Sequence, residues 1–422
     1  MTGDDFLNFN EEEDFTDQIS KCEDAYTKGE IDLLDFSEEE FDYLIGYFID
    51  EGDDSLVYDL TRTAYNKHPY SSDLVVRYAD VLIVNREVIR AVEILNNQMG
   101  IDSSNSDIYF LLGRAYLRQG EHKAARENID KAIVLCSDEA GEMLTTAAQD
   151  YIDINKYSIA LEYLKEAEKL EEHNTELFND IAFCLERSEQ FKESLVYYEK
   201  YLDSDPFNES VWFNVGTIYA RIENFAKSLE AFDYALALDP QNSSVLYNKA
   251  IVYVNTEQYN LAIETFKEFL KYEPDNFFAL IGIADAYLAY DKLDEAFNAF
   301  NVALGLDVEN LEANSGLAYI SMLKHDHFSA LVYLRRIISN ERMDHLFLDS
   351  QILLTYKRTE LPEFLVYHLV ALYHMRSIDS FITNLETLLT MDELWLNKLY
   401  ELIPKLKKDI AVSKKISKLK EK

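Results

Sequence analysis

The stretch Glu209–Asn242 reads ESVWFNVGTIYARIENFAKSLEAFDYALALDPQN. Trp212, Val215, Gly216 and Tyr219 follow one another at spacings of three and four, so they share one face of a helix. The polar pair Glu223-Asn224 interrupts the pattern. Phe225, Ser228, Phe232 and Ala235 then lie on one face of a second helix. Asp239-Pro240 closes it, because proline cannot continue a helix and pushes the residue before it out of helical geometry. The stretch predicts helix, short turn, helix, stop.

The same pattern recurs every 34 residues, nine times between Glu38 and Asp344, with unit starts at 38, 72, 106, 141, 175, 209, 243, 277 and 311. One extra residue near Ala140 is the single break in phase. The eighth position is small in every unit but the first: Ile45, then Ala79, Gly113, Ala148, Ala182, Gly216, Ala250, Ala284 and Ala318. The twentieth behaves alike, with Val57 followed by Ala91, Ala125, Ala160, Ser194, Ser228, Ala262, Ala296 and Ala330. These positions predict where the two helices of a hairpin approach closely. Large residues fill the gaps, among them Tyr116, Tyr219 and Tyr287 at the eleventh position and Tyr198, Phe232, Phe266 and Phe300 at the twenty-fourth. Pro69, Pro206, Pro240 and Pro274 all stand at position thirty-two.

This order of aromatic, Gly or Ala, Tyr, Ala, Phe, Ala and Pro resembles the tetratricopeptide repeat, most strongly over Thr175–Asn310. Units 38, 72 and 311 depart from it, with Asp54 and His327 where an aromatic is usual. The resemblance implies an all-α, right-handed superhelical solenoid with first helices on the concave side and second helices on the convex side. One such hairpin cannot bury its own apolar face, so the units must stack on one another. The resemblance also implies a non-catalytic scaffold that binds a protein or an extended peptide in the concave groove, although a fold alone does not fix a function.

The remainder divides around the array. Residues 1–37 form an acidic segment, expected to be unstructured over 1–13 and to carry a short capping helix over Asp14–Lys28. Residues 38–344 are the nine repeats. After Asp344 the phase is lost, and residues 345–403 read as an atypical helical cap containing Glu363–Met375, Asp379–Thr390 and a third helix over Asp392–Leu402. Residues 404–422 form a lysine-rich tail with amphipathic spacing through Leu406, Ile410, Ile416 and Leu419.

The chain of 422 residues has net charge −38, distributed unevenly. Residues 1–60 hold 21 acids and two lysines, while 405–422 hold eight lysines and two acids. Such an acidic body repels phosphate backbones, so nucleic acid is not an expected partner. No apolar run reaches the length of a membrane span. The acidic start MTGDDFLNFNEEEDF does not read as a signal peptide, so a cytoplasmic protein is expected. Cys22, Cys136 and Cys184 are too scattered for a disulfide framework or a metal motif.

If first helices line a concave side, positions two, five, six, nine, twelve and thirteen face it. Position two is acidic in six units, as at Glu176, which favours a basic or amphipathic partner and also suits a helix N-terminus. Phe110, Phe213 and Tyr247 stand at position five, Asn214 and Asn248 at six, and Phe278 at two. Together they predict an aromatic, amide-bearing strip, since an Asn side chain can bond a peptide backbone in both directions. Relatives that grip the C-terminal carboxylate of chaperones need cations at several of these positions. Here the corresponding residues are Phe213, Thr217, Asn248, Phe278 and Gly282, and only Asn248 fits.

No catalytic motif, phosphate loop or cofactor site is legible, so no cofactor and no enzymatic role are expected. His325 and His327 lack a third ligand at metal-binding spacing. The alternative role is a regulatory or assembly subunit acting through its charged ends or by self-association.

Overall fold

The computed structural model describes residues 5–136, 140–170, 174–338, 340 and 344–408. Its described elements are α-helices and two short 3-10 turns. The chain divides into two compact units, Met1–Pro206 and Phe207–Lys422.

The first unit runs α1 (Asp5–Lys28), α2 (Glu38–Glu51), α3 (Asp54–Lys67), α4 (Ser72–Val84), α5 (Val88–Met99), α6 (Ser106–Gln119), α7 (His122–Leu135), α8 (Ala140–Asp153), α9 (Tyr157–Leu170), α10 (Thr175–Arg187) and α11 (Phe191–Ser204). The second runs α12 (Glu209–Arg221), α13 (Phe225–Leu238), α14 (Ser243–Asn255), α15 (Tyr259–Phe269), α16 (Phe277–Ala289), α17 (Leu293–Leu306), α18 (Leu311–Leu323), α19 (His327–Ile337), α20 (His345–Thr359), α21 (Pro362–His374), α22 (Ile378–Leu389) and α23 (Glu393–Leu402). Within each unit the two helices of each hairpin pack on one another, hairpins stack on their neighbours, and α2–α4–α6–α8 and α12–α14–α16–α18–α20 touch in series. This is a helical repeat solenoid, built from hairpins whose apolar faces are buried by stacking.

The small positions are the contact points of each hairpin. A Cβ added to Gly216 would stand 2.6 Å from the ring of Phe232, and one added to Gly113 would stand 2.5 Å from the Ile129 side chain. At position twenty, Ser228 Oγ donates to the carbonyl of Gly216 at 2.8 Å, and Ser194 Oγ to that of Ala182 at 2.7 Å. A serine is tolerated there because its buried hydroxyl finds the backbone of the facing helix. The next two repeats solve the same problem differently. A Cβ on Gly282 would meet Phe266 at 2.7 Å, and one on Gly316 would clash with Phe300. These glycines stand at position six of the following repeat. The position-twenty-four ring thus lies over whichever helix offers a glycine, and Ala250 or Ala284 takes the eighth position where that is the next one.

Turn chemistry repeats with the same period. Asn105, Asn174, Asn208, Asn242, Asn276 and Asn310 each precede a first helix and accept a hydrogen bond from its first turn. This satisfies one of the amides that a helix start leaves open. Each repeat then turns through one residue with positive φ at position fifteen: Gly52, Arg86, Gly120, Asn155, Glu189, Glu223, Glu257, Asp291 and His325.

The ends differ from the sequence expectation. Helix α1 begins at Asp5 rather than Asp14, on a stretch with no Pro or Gly to interrupt it. Residues 1–4 lie outside the described residues. Helix α20, which the repeat pattern misses, starts 34 residues after α18 and therefore keeps its phase. Its eighth position is Ile352, fully buried, so the small-residue signature is gone although the helix is retained. It also runs longer, and Glu360 takes the left-handed turn before Pro362 opens α21. Leu406, expected on an amphipathic tail, is instead buried in the core of the second unit with Leu399 and Ile403. The rest of that tail lies outside the described residues. No helix among the described residues is long and apolar enough to cross a membrane.

Candidate functional site

In the second unit, residues from three repeats meet at a recess of about 350 Å³. Phe213 comes from α12, Ser244, Tyr247 and Asn248 from α14, Phe269 from α15, and Glu273, Asn276 and Phe278 from the turn into α16 and its first residues. The repeat geometry explains the meeting. Position five of one first helix and positions two and six of its neighbours are presented to the same side by stacking.

Each ring is anchored at its back. Phe213 packs on Phe232 at 6.2 Å between centroids, and Tyr247 lies against Phe266 at 5.7 Å and Phe269 at 5.5 Å. Burial pushes the Tyr247 phenol above its ordinary value, so it stays protonated. Phe278 is different, with 70% of its surface exposed.

The polar groups are less free than their identity implies. Asn248 Nδ2 donates to the carbonyl of Ser244 at 2.8 Å, within its own helix. That bond uses one of the two N–H groups of its amide. Asn276 caps α16, accepting from Ala279 N at 3.2 Å and donating to Glu273 Oε2 at 3.0 Å. The recess therefore offers aromatic faces together with both donors and acceptors, from Ser244, Tyr247, Asn248 and Glu273.

The other sequence candidates fall elsewhere. Asn214 is half-buried on α12 and is not among the lining residues. Phe110 belongs to the first unit, where it is only 9% exposed and packs in a core with Leu144 and Met143. Its edge reaches a recess of about 690 Å³ that includes Asp42, Arg77, Asp80, Asp107, Arg114 and Glu142. There Arg77 pairs with Asp42, and Arg114 reaches Asp80 at 3.1 Å and Asp150 at 2.9 Å, tying α4, α6 and α8 together. Asp107 has no such cation: burial, then the neighbouring Asp73, raises its carboxyl above the usual value. Glu176 stands exposed at the start of α10, and burial followed by Glu176 raises Asp180 in the same way.

One site residue escapes the sequence altogether. Asp285 of α16 lines a second recess of the second unit, of about 330 Å³, with Leu311, Glu312 and Ser315 of α18, Asp344, and Phe347 of α20. Its carboxyl reaches solvent yet is crowded by protein, and burial, then Glu312, pushes its pKa up to about 6. Among the described residues no basic side chain lines this recess.

Cys22 and Cys184 are buried structural thiols, each pushed up to about 12 by burial. His325 is the left-handed turn residue of its repeat, and the His327 ring stands 6.1 Å from Phe364. Among the described residues no group of three His, Cys, Asp or Glu is placed to hold a metal ion.

Family models described as tetratricopeptide repeat match residues 106–138, 210–242 and 247–310. Among solved structures, the chain is similar to the C-terminal part of a TPR repeat-containing protein from Cytophaga hutchinsonii, with 18% identity, TM-score 0.49, and cover of 57% of this chain and 99% of that one. It is similar to MamA from Desulfovibrio magneticus RS-1, with 22% identity, TM-score 0.38, and cover of 40% and 96%. It is also similar to YrrB, described as a TPR protein with an unusual peptide-binding site, with 24% identity, TM-score 0.37, and cover of 45% and 97%. No curated protein matches the chain.

Proposed function

The chain is a tetratricopeptide-repeat protein, and from that premise we propose that it is a non-catalytic scaffold whose second unit binds an extended segment of a partner protein. The observation that carries this reading is the convergence of Phe213, Tyr247, Asn248 and Phe278 on one recess, with Phe278 left 70% exposed. An exposed ring beside two half-buried, back-supported rings gives contact area with little side-chain entropy left to lose. Its polar groups can meet both the donors and the acceptors of a peptide backbone.

The experiment replaces Phe213, Tyr247 and Phe278 by alanine together with Asn248→Ser, and compares partners recovered with the full chain from its native host. Loss of specific partners, with far-UV circular dichroism and thermal melt retained, is the expected result. An unchanged partner set with an intact melt removes the recess as the binding site.

A further inference from the structure

The two recesses of the second unit share helix α16. Phe278 lies in its first turn and Asp285 seven residues later. Seven residues are two helical turns, so the two side chains leave the same face, separated by about 10.5 Å along the axis. An extended chain advances about 3.3 Å per residue, so about three residues span that distance.

The chemistry of the two recesses differs. The first presents aromatic faces with the Asn248 amide, one of whose N–H groups is held by Ser244. The second gathers the carboxylates of Asp285, Glu312 and Asp344 beside the half-exposed ring of Phe347. Asp344 spends Oδ1 on the amide of Phe347 at 3.1 Å. No salt bridge to Asp285, Glu312 or Asp344 is present among the described residues. In the first unit, by contrast, Asp42, Asp80 and Asp150 are answered internally by Arg77 and Arg114. Crowding by protein disfavours the charged form of Asp285, and the neighbouring Glu312 adds to that cost. The raised pKa of Asp285 is the mark of it. A cation brought in by a partner would offset that cost by direct attraction, and the ring of Phe347 would add a cation–π contact.

We propose that the second unit recognises an extended segment carrying an apolar or aromatic anchor and, three residues along, a lysine or arginine. The anchor seats against Phe278 at the start of α16, and the cation against Asp285 two turns along the same helix, with Glu312 and Asp344 lining the recess there. This rests on the recess reading above and narrows it to a class of partner: a basic segment with a defined spacing, not an acidic or a purely apolar one.

The test uses the full chain and fluorescein-labelled twelve-residue synthetic peptides of Gly, Ser and Thr. They carry Phe-x-x-Lys, Lys-x-x-Phe, the same two with Gln for Lys, or Phe and Lys adjacent. Binding is read by fluorescence anisotropy at pH 7.5 in low salt, with wild type, Phe278→Ala, and Asp285→Asn combined with Glu312→Gln. One of the spaced Lys peptides should bind, and its Gln counterpart about tenfold more weakly, which is about 1.4 kcal/mol. The carboxylate variant should lose the same factor for the Lys peptide and none for the Gln peptide. Phe278→Ala should weaken both.

Equal binding of Lys and Gln peptides to wild type overturns the inference, as does equal binding of the adjacent and spaced Lys peptides. So does the absence of any binding at peptide concentrations of about 1 mM. If Phe278→Ala weakens every peptide while the carboxylate variant changes none, the recess reading stands and this inference falls. If Phe278→Ala changes nothing while the Lys preference persists, the recess reading is the one that falls. Tighter binding after removal of residues 409–422, which leaves the buried Leu406 in place, would identify the chain's own lysine-rich end as the occupant, and would overturn assignment to a partner.

Discussion

The turn of every repeat uses a left-handed residue, and only two of the nine are glycine. Glu189, Glu223 and Glu257 hold φ of 60°, 60° and 59°. Each is exposed, and each ends its helix with the same pair of backbone bonds. At Glu223 the amide reaches Ala220 O at 3.0 Å, and the next amide, of Asn224, reaches back to Tyr219 O at 2.8 Å. The second bond is the six-to-one closure that glycine usually serves at a helix end. A side chain in this conformation costs about 1–2 kcal/mol, because Cβ crowds the following carbonyl. Glycine removes that strain but loses about 0.5–1 kcal/mol in unfolded-chain entropy. Glu223→Gly should therefore exceed Glu223→Ala in stability by about 1 kcal/mol, both variants having lost the same charge. The order should invert at Glu230, exposed in the middle of α13, where glycine is about 1 kcal/mol worse than alanine. A repeat array need not unfold in one step. The assay should thus be native-state hydrogen exchange of the α12 and α13 amides, supported by urea midpoints. Alanine matching or exceeding glycine at Glu223 would refute the strain argument. The same order at both sites would show that the substitutions report chain flexibility and not turn geometry.

Two further outcomes follow from packing and charge. Gly216→Ala should destabilise by about 1 kcal/mol, since overpacking of about 1–3 kcal/mol against Phe232 outweighs the helix gain of about 1 kcal/mol. Adding Phe232→Leu should couple favourably in a double-mutant cycle by denaturation, and a stabilised Gly216→Ala would show that the ring yields freely. Asp285 carries a folded pKa of about 6, above its unfolded value of about 3.9. The folded state thus binds its proton more readily, so this group's contribution to stability rises as pH falls from about 6 towards 4. Asp285→Asn should flatten that part of the stability profile and be the more stable variant at pH 7. Parallel profiles for wild type and variant would rule out an unrelieved carboxylate at this position.

The architecture was legible because packing imposes the same demand in every repeat. Where two helices touch, Gly216 and Phe232 must be small and large together, and the 34-residue period exposes that demand at the eighth and twenty-fourth positions. Gly282 and Gly316 were harder to read, since they meet the rings of the preceding repeat, and a pattern aligned within units separates the partners. Helix α20 was lost for a related reason: Ile352 removes the small-residue signature while the helix start keeps its phase. The site is legible only in part, because a groove depends on what each side chain does with its own bonds. Phe213, Tyr247, Asn248 and Phe278 could be gathered from their positions. That Asn248 gives its amide to Ser244, that Asn214 stands off the recess and that Phe110 is consumed by a core are settled by contacts that spacing does not contain. Asp285 is the sharper case. Among 78 acids it carries no signal of its own. What marks it is a relation: seven residues from an exposed phenylalanine on one helix, in one recess with Glu312 and Asp344, and among the described residues no arginine answers them as Arg114 answers Asp80 and Asp150. Repetition built the scaffold, so the departures from repetition, an exposed ring and an uncompensated charge on one helix face, are where its partner specificity should lie.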